Sequence, residues 1–389
     1  MQAIDPLQKQ VHFIETPDAL ETGLKALSTQ SSIAFDLEFD SHHYAYGVTL
    51  CLIQIASPDA CYVIDPFASI DLAGVYALFE DERILKIVHS PGEDLRLLHS
   101  LQCFPRNLFD TEVVAKLLNY EQTSLATILQ EKLGKSMNKQ QQKSNWLRRP
   151  LSAEQRTYAA LDVAWLHELK DLLEAEAQEK GLTHYVQEEQ SILSKTIHKP
   201  EVKENFLKPA DKYKLSPKEQ YVLNALLVYR DQLARKINKP AFQVLSEDLV
   251  RALANGSMQP YDLLDESGLH RSFKNSRFAD ELADRIDALQ DKAKVLQLSD
   301  KLPPREYFTP EQLAAREKAN RDRTDKFVPI QQALAERFGT FAARLIFSTT
   351  AVNEVLSNAI TISGLKHPYR SELVRSIAAE LGIDLSDYE

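Results

Sequence analysis

Cysteine is nearly absent. The chain holds three (Cys51, Cys61 and Cys103), an odd number with no CxxC spacing. A disulfide framework and a structural zinc site are therefore not what organises it, and a reducing compartment, the cytoplasm, is expected. Long apolar runs are absent too: nothing approaches the about 18 residues that a membrane-spanning helix needs. The opening Met1-Gln2-Ala3-Ile4-Asp5-Pro6 has neither the basic nor the apolar part of a secretory leader. No membrane partner is expected. Positive charge is in short supply, with 46 Lys and Arg against 56 Asp and Glu and a formal net charge of −10. That balance by itself disfavours a nucleic-acid partner.

What is present is a chain of 389 residues, too long for one ordinary core, with the apolar (44%) and charged (26%) fractions of a soluble globular protein. Two or three domains are expected. The scarce positive charge is concentrated. From Lys132 to Arg149 there are six basic residues (Lys132, Lys135, Lys139, Lys143, Arg148, Arg149) and no acid. Such a stretch suits phosphates, and it equally suits a solvated loop.

The most informative stretch is Ile33-Ala34-Phe35-Asp36-Leu37-Glu38-Phe39-Asp40. Side chains alternate faces along a strand, so Asp36 and Glu38 share one side while Phe35, Leu37 and Phe39 share the other. Adjacent carboxylates repel, and a hard divalent cation such as Mg²⁺ or Mn²⁺ is the usual remedy. Solvated acids at a strand end fit the octapeptide as well.

Around it, Val11–Ile14 reads as a strand, followed by a helix capped near Thr16 or Asp18. Leu50–Ala56 and Cys61–Asp65 read as strands joined by a Pro58-Asp59 turn, an antiparallel arrangement with the opening strand. A helix around 71–80, a strand at Leu85–His89 and a helix from Gly92 follow, which makes an α/β domain with a mixed sheet. Asp94 sits directly after a strand, where α/β sheets carry ligand-binding residues, although an acid in a first helical turn is also ordinary capping. Asp110 reads as the N-cap of a helix over 111–119. Further on, Ser152 and Gln155 form a capping box, and Tyr158 and Asp162, four apart, share a helical face with Gln155 and Trp165 or Leu166. A carboxylate on a face meant for the core needs a partner.

Asp36-Leu37-Glu38, Asp94 and Tyr158-Ala-Ala-Leu-Asp162, in that order, resemble the three motifs of the DEDD exonucleases, with the Tyr-x-x-x-Asp spacing of the tyrosine subgroup. Leu50–Ala56 and the run Trp146, Arg149-Pro150-Leu151 resemble the ribonuclease D family within it. The resemblance implies a ribonuclease H-like mixed sheet with flanking helices. From Lys214 to about Leu289 the chain is similar to the all-α HRDC module, in a stretch where Lys195–Lys239 carries eleven basic and five acidic residues. Residues 326–389 read as three helices that resemble a degenerate second HRDC module. The expected domains are an exonuclease domain over 1–195, a linker over 196–212, an HRDC domain over 213–293, a connector over 294–325 and a C-terminal helical domain over 326–389. Two departures stand out: Leu37 replaces the more frequent Thr, and Asn145 stands before Trp146 where the family usually has Asp.

The resemblance implies removal of nucleotides from RNA 3′ ends, with tRNA precursors carrying 3′ extensions as substrate and a monomeric enzyme. Two divalent ions, Mg²⁺ or Mn²⁺, roughly 3.5–4 Å apart would serve such hydrolysis. By analogy Asp36 bridges them, Glu38 and Asp162 hold one, Asp94 acts on the other, and Tyr158 orients the attacking water. Leu37, Phe39, His89, Lys143, Arg148 and Arg149 are the expected substrate contacts: Phe39 by stacking on the terminal base, His89 at the terminal ribose, the three cations on the phosphodiester backbone. Phe39 and His89 fit a packed core residue and a structural histidine equally. Two other readings share this pattern: an exonuclease acting on DNA 3′ ends, and a non-catalytic RNA-binding protein, whose usual mark would be a lost metal ligand. None of the four acids is lost.

Overall fold

The computed structural model describes residues 9–137, 139–199, 203–304 and 308–389. Six strands form one sheet in the order β1-β4-β3-β2-β5-β6: β1 Gln10–Ile14, β2 Ser32–Ser41, β3 Val48–Ala56, β4 Ala60–Ile64, β5 Leu85–Val88 and β6 Leu108–Asp110. β1 runs parallel to β4, and β5 parallel to both β2 and β6, while β3 and β4 are antiparallel. The sheet is mixed, as the alternation of turns and helices along the sequence requires.

Eight helices belong to this part of the chain: α1 Pro17–Leu27, α2 Ala73–Glu80, α3 Gly92–Ser100, α4 Thr111–Leu117, α5 Leu125–Leu133, α6 Ala153–Ala164, α7 Leu166–Glu179 and α8 Thr183–Leu193. Their ends are set by local chemistry. The Thr16 side chain caps α1, the Asp110 side chain caps α4, and Ser152 with Gln155 closes a capping box on α6. The two sheet faces are covered differently. Phe35 stacks on Phe79 of α2 at 4.4 Å. Ala34, one residue on, joins Val63, Cys61, Ala159, Ala160 and Val163 in a core cluster that includes α6 and α7. By the period of two, Asp36 and Glu38 lie on the α6 side.

After these come α9 Asp211–Lys214, α10 Pro217–Ile237, α11 Ala241–Val244, α12 Glu247–Ala254 and α13 Ser276–Val295. α10 opens with a Ser216–Glu219 capping box and a proline in its first turn. They share a core of their own, built on Leu223, Leu226, Leu227, Val250, Leu263 and Phe278. The last helices are α14 Pro310–Asp322, α15 Val328–Phe338, α16 Thr340–Ile346, α17 Thr349–Leu356 and α18 Pro368–Glu380. Over 326–389 there are thus four α-helices rather than the expected three. The extra one is α17, capped by the Ser348 side chain, which accepts the Ala351 N–H at 3.1 Å.

By compactness the chain falls into two units that do not follow chain order. One contains residues 9–38, 50–199 and 308–389; the other contains 39–49 and 203–304. Within the first, the C-terminal helices are fastened to the helices that flank the sheet by buried polar contacts. Glu189 of α8 is 6% exposed and accepts hydrogen bonds from the Tyr369 hydroxyl (2.5 Å) and Arg370 Nε (2.9 Å), with His367 Nε2 at 3.0 Å. Asn119 Oδ1 accepts the Phe341 N–H at 2.7 Å and so caps α16 from a distance of 222 residues. Among the described residues no helix is long and apolar enough to cross a membrane.

Candidate active site

β2 and α6 bring the motif residues together. Oxygen atoms of Asp36, Glu38 and Asp162 lie within 4.8 Å of one another, two of the residues half-buried and Asp162 buried. Asp94 stands outside that limit yet close enough to act on all three. The register explains its approach: Ile33 pairs with Lys86 and Ala34 with Ile87, which sets Asp36 level with His89, at the start of the turn into α3. Asp94 then falls in the first turn of that helix, where its own backbone N–H and that of Leu37 favour its charged form.

Burial and mutual repulsion dominate the electrostatics of these four carboxylates. Burial raises Asp36 well above the usual carboxylate range, and the charges of Asp94, Asp162 and Glu38 add to the effect. Glu38 is pushed up to about 9 by burial and by Asp162 and Asp94. Asp162 rises to about 8, mainly by burial, against a hydrogen bond from the Tyr158 hydroxyl. Asp94 rises to about 7, again mainly by burial. Among the described residues no lysine or arginine offsets any of the four. Closely set carboxylates with raised pKa values and no internal counter-charge match the hard-oxygen donor set of divalent ions such as Mg²⁺ or Mn²⁺. Tyr158 is driven far above its ordinary value by burial and by Asp162, Glu38 and Asp36, so it stays a neutral hydroxyl. It sits one turn before Asp162, with the Trp146 ring 6.1 Å away.

The other expected contacts are placed differently from one another. Leu37 is buried, and Phe39 is half-buried further along β2. Lys143 and Arg148 are exposed, and among the described residues neither forms an ion pair. The other basic residues of that stretch are spent internally where their side chains are described. Lys132 pairs with Glu176 at 2.7 Å, and Lys135 lies 4.0 Å over the Trp165 ring. Arg149 uses all five N–H groups inside the protein. Nε and Nη2 grip both oxygens of Asp65 (2.5 and 2.8 Å), Nη2 also reaches the Cys51 carbonyl (2.8 Å), and Nη1 reaches the carbonyls of Trp146 and Arg148 (2.7 and 2.9 Å). None is left for a phosphate. Its sequence signal was a basic run, and nothing local pointed to its partner Asp65, 84 residues away and read as the last residue of a strand.

His89 is likewise engaged at both ring nitrogens, Nδ1 with the Thr111 hydroxyl and Nε2 with the Thr123 carbonyl, each at 2.8 Å. Burial lowers its pKa, and Nε2 donates to the Thr123 carbonyl, which can only accept. That arrangement fits the structural alternative for this histidine and leaves no ring nitrogen for a ribose.

The 3′-5′ exonuclease family model matches residues 11–178, a span that contains all the motif acids. The ribonuclease D of Nitrobacter hamburgensis is 30% identical over 285 residues, 72% of this chain and 73% of its own length. The chain belongs to the ribonuclease D family. The ribonuclease D of Bartonella henselae is 31% identical over 272 residues, which cover 69% of this chain and 66% of that one. The fold agrees: the crystal structure of Escherichia coli RNase D superposes with a TM-score of 0.67 at 24% identity, over 95% of this chain and 99% of the other. As a ribonuclease D-type protein, the chain is a 3′-5′ exoribonuclease.

Proposed function

We propose that the enzyme shortens structured RNAs, tRNA precursors with 3′ extensions among them, at the site formed by Asp36, Glu38, Asp94 and Asp162. The observation that carries this reading is the convergence of the three carboxylates from β2 and α6 within 4.8 Å, with Asp94 close by. In it, Asp36, Glu38, Asp162 and Asp94 would together hold divalent ions, the first three one of them. There they would lower the pKa of a bound water and offset the charge on the phosphate and the leaving 3′ oxygen. Tyr158 remains protonated and orients the water through its hydroxyl, which excludes it as a strong base. Lys143 and Arg148 are free to meet the incoming backbone, whereas Arg149 braces the Trp146–Leu151 segment from within. The segmented domain reading, with an exonuclease domain over 1–195 and an HRDC module over 213–293, assigns the α10–α13 core to the second module. We take the enzyme to act as a monomer in the cytoplasm.

The test is a 5′-labelled tRNA precursor incubated with Mg²⁺, with Mn²⁺ and with chelator, beside a matched single-stranded DNA and the Asp36→Ala protein. A metal-dependent ladder receding from the 3′ end, lost in Asp36→Ala and weaker on DNA, is the expected result. An equal ladder on DNA, or a precursor left untouched while other RNAs are shortened, would overturn the substrate assignment. Size-exclusion chromatography with light scattering checks the monomer.

A further inference from the structure

The turn that carries Asp94 is held from outside by two adjacent residues at the junction of β6 and α4. Asp110 is 3% exposed, and its Oδ1 accepts the backbone N–H of Ser90 at 2.9 Å and of Glu112 at 2.8 Å. Ser90 needs such a partner, because its φ of +58° lies in the left-handed region that non-glycine residues avoid. Thr111 is fully buried, and its hydroxyl lies 2.8 Å from His89 Nδ1 and 3.0 Å from the Val88 carbonyl. Three consecutive residues at the end of β5 are thereby gripped by two consecutive residues at the end of β6. The strand register already sets Val88 against Asp110. The grip is anchored in turn. Gln190 of α8 exchanges two hydrogen bonds with the Asp110 backbone (2.8 and 3.0 Å), and the Thr123 carbonyl fixes the other side of His89.

A capping role alone explains only the Glu112 contact. It does not explain why the same oxygen also binds Ser90, or why its neighbour binds His89. We propose that Asp110 and Thr111 are positioning residues of the nuclease site: by fixing His89 and Ser90 they set where Asp94 meets the other three carboxylates. Neither touches substrate or the reacting atoms. The inference rests on the reading of Asp94 as a metal ligand, and it extends that reading to residues that none of the sequence motifs contains.

The test compares Asp110→Ala, Asp110→Asn, Thr111→Val and Asp94→Asn with the wild type. Free Mn²⁺ is titrated by electron paramagnetic resonance on protein shown to be folded by near-ultraviolet circular dichroism, and kcat and KM are measured on a 5′-labelled oligoribonucleotide. Partners of this kind change metal affinity by about tenfold or more. Asp110→Ala should therefore lose about tenfold in the weaker Mn²⁺ affinity, with kcat reduced and KM for RNA held within about twofold. Asp110→Asn, whose amide oxygen accepts the same two N–H groups, should restore Mn²⁺ binding. Thr111→Val should fall between them. Folded Asp110→Ala or Thr111→Val with wild-type Mn²⁺ affinity would overturn the proposal, as would Asp110→Asn falling as far as Asp110→Ala. Thr111→Val keeps the test decisive if Asp110→Ala does not fold. Unchanged Mn²⁺ binding in Asp94→Asn would instead remove the metal-ligand reading beneath it.

Discussion

Stability of the metal-free protein should fall as pH rises from 7 to 8, and saturating Mg²⁺ should abolish the fall. Glu38 and Asp162 have folded pKa values of about 9 and about 8, and Asp36 is raised as well. In the unfolded chain such groups ionise near 4. Between those limits the folded state binds more protons than the unfolded state, so raising the pH favours unfolding. Each proton retained by the fold corresponds to about 1.4 kcal/mol per pH unit. Taking one net proton as the smallest count consistent with Glu38 and Asp162, the midpoint should drop by about 2–3 °C between pH 7 and 8. Other groups oppose only part of this fall. Burial lowers the pKa of His89, His99, His167 and His198, so their effect, which raises stability with pH, is fading above the unfolded value of about 6.5. Lys86, lowered to about 8 by burial, begins to raise stability as the pH nears that value. Bound Mg²⁺ replaces the protons, flattens the profile and adds about 2.7 kcal/mol at a hundredfold excess over Kd. Calorimetric melts at pH 7.0, 7.5 and 8.0, in chelator and in Mg²⁺, read the effect directly. A metal-free midpoint that stays level or climbs over this range would refute the argument, as would Mg²⁺ binding at pH 7 without proton release.

Arg149→Ala should destabilise the fold by about 3 kcal/mol, because it strands Asp65 in a largely buried site, while the salt dependence of RNA binding stays as in the wild type. Chemical denaturation and salt titrations separate the two effects. Lys143→Ala and Arg148→Ala should do the reverse, leaving the melting midpoint in place and each reducing the slope of log K against log salt by about 1. Glu189→Ala should cost about 3–5 kcal/mol and make residues 308–389 sensitive to limited proteolysis, since Arg370 and His367 lose their shared carboxylate. Gly339→Ala should destabilise by about 1–3 kcal/mol in thermal melts, because φ is +89° and an added Cβ would lie 2.1 Å from the Asn119 carboxamide.

Much of the site was legible along the chain. The strand period placed Asp36 and Glu38 on one side, the helical period placed Tyr158 above Asp162, and the Ser152–Gln155 capping box fixed where that helix begins. The strands, the helices over 73–80 and from Gly92, and the Asp110 cap follow from similarly local rules. The fates of the cations and of the histidine were not legible. Whether a basic residue faces solvent or is spent internally depends on partners far away in sequence, Asp65 for Arg149 and Glu176 for Lys132. Thr349–Leu356 escaped notice because the run before it ends at Ile346, and only the turn at Phe347 and Ser348 separates two short apolar helices.

The sequence by itself determined which acids share a strand face and that Tyr158 and Asp162 share a helical one, because periods of two and 3.6 residues are properties of the local backbone. Tertiary structure alone decided that β2 and α6 bring three carboxylates within 4.8 Å, and that Asp94 stands beside them through a turn held by Asp110 and Thr111. It also decided that residues 308–389 belong to the same compact unit as the sheet. These results depend on burial and on hydrogen bonds between residues tens to hundreds of positions apart, which no local pattern encodes.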